Sequence, residues 1–313
     1  MKLLLTISFL IILSAISLFI GPVSIGNIFD MTFEQQVVMF ASRVPRLISV
    51  IITGIGMSIA GLIMQCLTKN KFVAPTTAGT MDGARLGILI SMMAGVSSLF
   101  MRSIFAFVFT LLTTLIFIKI INKIKIKNII FVPLVGIMYG NILASVAMYF
   151  AYTQNIVQNL NTWLIGDFSS VLRGRYEILY ITIPMIIIAY IFADKFIIAG
   201  MGKDFSKNLG VNYNLVLNIG MIIVSILSTA VLLTVGVIPF LGVVVPNIVS
   251  ILFGDNLKKT LPIVAIGGAI FLLICDIISR LIIHPFEIPI SLTVGIIGGA
   301  IFLFLLLRRR AYA

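Results

Sequence analysis

Asp276 and Arg280 are the first residues that could do chemistry. They stand four apart within the apolar run 260–283, so on a helix they share one face with opposite sign. A lone carboxylate in hydrocarbon is disfavoured by several kcal/mol, and such a pair can satisfy itself. A self-paired structural role and an Arg280 fork offered to an acidic partner both stand. Beyond them, His284-Pro285-Phe286-Glu287 supplies one His and one Glu, too few for a metal site that ordinarily takes three or four ligands. Cys66 and Cys275 lie in apolar runs and give neither a disulfide framework nor a cysteine metal site. A phosphate loop of the form G-x-x-x-x-G-K-[ST] is absent. The nearest string, Gly200-Met201-Gly202-Lys203-Asp204, lacks both the spacing and the hydroxyl. The sequence therefore assigns no catalytic residue, no metal and no cofactor bound by this chain. If ATP with magnesium drives it, another subunit hydrolyses that ATP.

Three further groups have spacing that bare residence in a membrane does not require. Arg43-Val44-Pro45-Arg46 places Pro where a first helical turn tolerates its missing N–H. The arginines read either as interfacial anchors that snorkel or as a docking pair for an acidic partner. Gly136, Gly140 and Ala144 recur at i+4 with Asn141 and Ser145 one position on. The glycines read as helix packing, while the polar members keep open a translocation pathway or a helix interface. The stretch Lys203-Asp204-Phe205-Ser206-Lys207-Asn208-Leu209-Gly210 sets Phe205 and Leu209 at i+4 before a helix-stopping glycine. It predicts a short helix with one small apolar face, suited to contact with a cytosolic subunit.

The elements that must position these residues follow from composition. Sixty per cent of the 313 residues are hydrophobic and 10% are charged, against roughly 25% charged in soluble domains. The chain reads as one polytopic membrane domain, 1–313. At about 20 residues per span, ten apolar runs are recognised: 3–20, 46–67, 83–100, 103–121, 129–153, 177–199, 213–236, 239–253, 260–283 and 291–307. The first ends in no small-x-small cleavage pattern and is read as a retained helix. Ten spans put both termini on one side, and placing them in the cytoplasm lets the basic residues be counted. Inside fall Lys2, Lys69, Lys71, Lys119, Lys123, Lys125, Lys127, Lys195, Lys203, Lys207, Lys258, Lys259, Arg308, Arg309 and Arg310. Outside fall only Arg43, Arg46, Arg102, Arg173, Arg175 and Arg280, and Arg85 is left unassigned. The net charge of +12 is thus a statement about topology, with no nucleic-acid partner implied. What topology leaves unexplained is that every outside basic residue is Arg, the better fork for carboxylates.

Taken in order, several strings resemble the permease subunits of type II ABC importers, the family that carries iron siderophores, haem and cobalamin. They are Arg43-Val44-Pro45-Arg46, the Gly54 to Gln65 helix with Asn70 to Pro75, Trp163-Leu164-Ile165-Gly166, Leu209-Gly210-Val211, and Gly236-Val237-Ile238-Pro239-Phe240-Leu241-Gly242. Pro246, Gly254-Asp255, Leu261-Pro262, Gly268-Ala269, Asp276, Arg280, Glu287-Ile288-Pro289, Thr293 and Gly295 complete the set. The resemblance covers nearly the whole chain. It implies an all-α, ten-helix protomer in the bacterial cell membrane, paired with a second permease, identical or different. Two cytosolic ABC ATPases and an extracytoplasmic substrate-binding lipoprotein complete the assembly. By the same resemblance Arg43, Arg46 and Arg280 meet acidic residues of the binding protein, 203–212 seats in the ATPase, and the fifth helix, with Asn141 and Ser145, lines the pathway. Departures are Asn247 after Pro246 where the family often has His, Ser250 where it often has a basic residue, and Asn256 after Asp255 in place of a common His-Arg pair. The string Ala74-Pro75-Thr76-Thr77-Ala78-Gly79-Thr80-Met81-Asp82 looks like the ferric siderophore branch, often catecholate-type. The expected function is import of an iron(III) siderophore. Haem or cobalamin as cargo, an ion-coupled secondary transporter and a non-transporting scaffold remain as alternatives.

Overall fold

Residues 2–21, 32–123, 131–254 and 256–310 are described in a computed structural model of the chain. Asp255, Lys125 and Lys127, named above, lie outside them. Each apolar run coincides with a helix: α1 (Lys2–Phe19), α2 (Val44–Leu67), α3 (Thr80–Met93), α4 (Leu99–Lys123), α5 (Phe131–Thr153), α6 (Thr182–Ile191, continuing as Ala193–Gly200), α7 (Tyr213–Val235), α8 (Leu241–Phe253), α9 (Leu257–Leu281) and α10 (Ile290–Arg310). Among the described residues, six helices are long and apolar enough to cross a membrane. The α6 pair, bent by 62°, makes up to a seventh span, and α1 and α8 are shorter apolar helices. No strand occurs among the described residues; isolated bridges such as Ile165 to Val237 stand in place of a sheet.

At the centre stands α2, and its small residues explain why. A Cβ at Gly54 would meet the backbone of Gly268 and Ala269 in α9, and one at Gly61 would collide with the carbonyl of Gly242 in α8. Gly56 leaves room for Leu227 of α7 and Thr182 of α6. Lipid tails give helices no hydrophobic drive to associate, so such close approach supplies the contact energy instead. The span containing α2 is 72% buried, as is α7, whereas α5 and α10 are 22% buried. These last two form the open flanks of the bundle.

Two expected boundaries move. The helix expected to begin at 46 is preceded without a break by Phe33–Val38 and a π-helical turn, Met39–Arg43, so Arg43 and Arg46 lie inside a long helix. Pro45 is accommodated inside that helix: with no N–H it cannot use the Ala41 carbonyl, and the Arg173 amide takes that carbonyl at 3.1 Å instead. The run expected over 83–100 ends at Met93. Gly95 adopts φ +70°, and its amide bonds the Met92 carbonyl while Val96 bonds that of Ser91. Together these bonds satisfy the helix's last carbonyls.

Between α2 and α3 the chain turns back into the bundle. Val73 is buried among Met64, Phe117 and Val216, and Pro75 lies against Gly242. Asn247 Nδ2 donates to the Lys71 carbonyl at 2.6 Å, and Lys71 Nζ to Ser250 Oγ at 2.5 Å. Two of the residues that depart from the family pattern, Asn247 and Ser250, thus tie this returning segment to α8.

Candidate functional site

At one end of the bundle three arginines converge. Arg46 grips two acids, donating to Asp276 Oδ1 at 2.9 and 3.1 Å and to Glu287 Oε2 at 2.6 Å. Arg280 Nη2 lies 2.6 Å from Asp276 Oδ2, and its guanidinium also donates to the Ser17 and Ile20 carbonyls and to Ser17 Oγ. Arg43 Nη1 donates to the Leu18 carbonyl at 2.7 Å. The cluster joins α1, α2, α9 and the 284–289 turn, with Asp276 fully buried and Arg280 at 4% exposure. The i,i+4 pair read from the sequence is therefore real, and Arg46 and Glu287 enlarge it. All three arginines expected to face an acidic partner are turned inward in this structure: α1 brings its terminal carbonyls to Arg43 and Arg280, and Asp276 and Glu287 hold Arg46. Exposed guanidinium groups at this end belong to Arg173 and Arg175.

Arg175 also lines an open cleft. Trp163, Asp167, Arg175, Gly236 and Pro289 line a cavity of about 690 Å³. Asp167 caps its own loop through the Ser169 amide and hydroxyl, and its amide bonds the Val235 carbonyl at 2.8 Å. Arg102 lines an adjoining cavity that shares Thr162 and Trp163. All six arginines counted as outside therefore lie at one end. Nothing in the sequence marked Trp163 beyond its place in a matching string, since the cleft forms from segments 70 residues apart.

At the opposite end the predicted short helix is present as Lys203–Asn208. Gly202 at φ +112° and Gly210 at φ +71° bracket it, conformations that glycine adopts without strain. Ser206 is buried and its hydroxyl bonds the Ile198 and Gly202 carbonyls, anchoring one face. Phe205 and Leu209 are 46% and 55% exposed, so the apolar pair faces outward as the spacing predicts. Lys203, Asp204, Lys207, Asn208 and Gly210 are exposed around it. Lys69 Nζ donates to the Met201 carbonyl at 2.6 Å, tying the returning segment to this helix.

The four α5 residues sort onto two faces. Gly136 and Gly140 are buried, and Gly140 makes room for the Asp82 carboxylate and Gly79. Asn141 and Ser145 are exposed together with Met138, Ile142 and Tyr149. Polar side chains on an open membrane helix are costly against lipid, which favours a second chain or water on this face. Among the described residues no group of three or more His, Cys, Asp or Glu could hold a metal.

Comparison with known proteins agrees with this architecture. The petrobactin import system permease protein YclN of Bacillus subtilis is 56% identical over 307 residues, covering 97% of each chain. The ferric-anguibactin transport system permease protein FatD of Vibrio anguillarum is 43% identical over 95% of each. A chain of a metal-chelate type ABC transporter in an inward-facing conformation superposes with a TM-score of 0.88 at 22% identity, covering 98% of this chain and 99% of its own. The model of the FecCD transport family matches residues 7–308, and the chain belongs to that family.

Proposed function

We propose that this chain is the membrane permease subunit of an ATP-binding-cassette importer that carries ferric siderophores into the cytoplasm. The observation that carries the reading is the 56% identity, end to end, with a petrobactin import permease. Petrobactin or a closely related chelate is the cargo. With no phosphate loop in the sequence, separate ATPases supply the energy, and the Lys203–Asn208 helix with its exposed Phe205 and Leu209 is their seat. A binding protein delivers cargo at the arginine end. There Arg43, Arg46 and Arg280 brace the surface from within, and Arg173 and Arg175 reach its acidic residues. The exposed α5 face, with Asn141 and Ser145, meets the second permease or the pathway between protomers. Nucleotide state biases a two-state bundle, since a ligand shifts an equilibrium only by binding its states unequally. Both termini lie in the cytoplasm of a bacterial cell.

The test is uptake of radiolabelled iron, presented on a panel of chelates, in cells lacking this chain and in cells complemented with it. Loss of ferric petrobactin uptake on deletion and its return on complementation are expected. Unchanged siderophore uptake in a strain without a redundant importer would falsify the assignment and move the search to haem and cobalamin.

A further inference from the structure

Arg85, which the topology count left unassigned, lies on α3 with no place in the arginine cluster. It lines a cavity of about 520 Å³ formed where the returning segment, α3, the start of α8 and α10 meet. The wall is aromatic: the Phe302 ring lies edge-on to Phe72 at 5.7 Å and tilted against Phe240 at 5.9 Å. Phe240 holds φ +58°, a conformation rare for a bulky side chain, while its carbonyl receives the first amides of α8 from Val243 and Val244. A Cβ at Gly298 would press on it. Backbone strain of this kind persists only where the surroundings over-determine it, and it concentrates at functional sites.

Two charges share the cavity with these rings. Asp82 and Arg85 stand three apart on α3, and Arg85 Nε is buried with no hydrogen-bond partner. Asp82 Oδ2 lies over Gly140 of α5, so the cavity abuts the helix that carries Asn141. A buried donor left unmade is disfavoured by about 1–3 kcal/mol; Arg85 already lines the cavity, and an acceptor there relieves that penalty once the side chain turns Nε toward it. The best acceptor for a guanidinium is an anionic oxygen, and the phenyl wall suits a flat ring set edge-on or offset.

We propose that this cavity is a cargo-contact site for an anionic, ring-bearing ferric chelate, with Arg85 meeting the anionic oxygens and Phe72, Phe240 and Phe302 meeting a ring. The inference rests on the importer reading and names the chemistry its pathway selects. Asp82 beside Arg85 tempers the attraction, as passage requires a contact strong enough to enter and weak enough to leave.

The test uses the whole importer in cells lacking the chromosomal copy, with uptake of ferric petrobactin normalised to permease abundance in the membrane. Arg85→Gln removes the charge and keeps the bulk. Uptake should fall by about tenfold or more, the range for losing one charged hydrogen bond, while Arg85→Lys stays within about threefold of wild type. Wild-type rates in Arg85→Gln overturn the site, and so does an equal loss in both variants, which marks packing alone. Should Arg85→Gln not accumulate, Phe302→Leu carries the test: a raised half-saturating chelate concentration supports the site, and an unchanged one overturns it. The two readings fail separately. If wild-type complementation gives no petrobactin uptake, the importer reading falls; if it does and the variants match it, only this site falls.

Discussion

Arg46, Asp276, Arg280 and Glu287 form a cluster in which each charge is met by an opposite one. Removing one partner from a buried ion pair strands the other and is destabilising by about 3–5 kcal/mol. Asp276→Asn leaves Arg46 facing only Glu287 and Arg280 held only by α1 and its own helix. The expected outcome is a large drop in the unfolding temperature of the detergent-solubilised protein and in membrane abundance. Asp276→Leu/Arg280→Leu, which removes both charges of the pair, should recover part of that loss. A single variant as stable as wild type would refute the structural role. The sequence disclosed the Asp276–Arg280 pair because i,i+4 spacing is local. It did not disclose the direction of the arginines, since the carbonyls that capture Arg280 lie 260 and 263 residues away. For the same reason, charge reversal at Arg46 measures stability before it measures docking, and Arg173 and Arg175 are the sounder residues for testing delivery.

Among the elements, the Lys203–Asn208 helix was the most legible. Its length, its flanking glycines and the Phe205–Leu209 pair are all local signals, and the structure holds each where the pattern placed it. The start of α2 was less so, because the effect of Pro45 depends on an amide from Arg173, distant in sequence. Least legible was the return of 69–79 into the bundle, set by contacts to α7, α8 and α5 that no periodicity records. The exposed pair makes a discriminating test. Phe205→Ser/Leu209→Ser alters surface positions, so the unfolding temperature should stay near wild type, within about 0.5 kcal/mol in stability. Iron uptake and co-purification of the ATPase should both fall severalfold if this helix is the ATPase seat. Retained co-purification and uptake would remove the helix from that role, whereas Ser206→Val, which strips the anchoring bonds to Ile198 and Gly202, should lose the helix itself.

For the whole molecule, composition alone disclosed a membrane bundle, because apolar runs of span length are dictated by the solvent and not by tertiary contacts. Orientation is a separate physical question, and the distribution of charge bears on it. Arg43, Arg46, Arg102, Arg173, Arg175 and Arg280 gather at one end, as their bonds and shared cavities require. At the other end Lys69 and Lys71 bond Met201 and Ser250, and Lys258 pairs with Asp194. Helix α1 reaches the arginine end with Ser17, and α10 leaves it at Ser291, whose amide bonds Gly166, so both helices run away from it toward the lysines. Basic residues are retained on the cytoplasmic side, and on that ground we propose that the lysine end faces the cytoplasm. A fluorescent protein that folds only in the cytoplasm should glow when fused after Arg310, and alkaline phosphatase there should be inactive. Alkaline phosphatase inserted at Gly174, in the exposed loop between the two solvent-facing arginines, should be active. The opposite pattern would invert the importer, setting the Lys203–Asn208 helix outside the cell, where no ATPase could reach it.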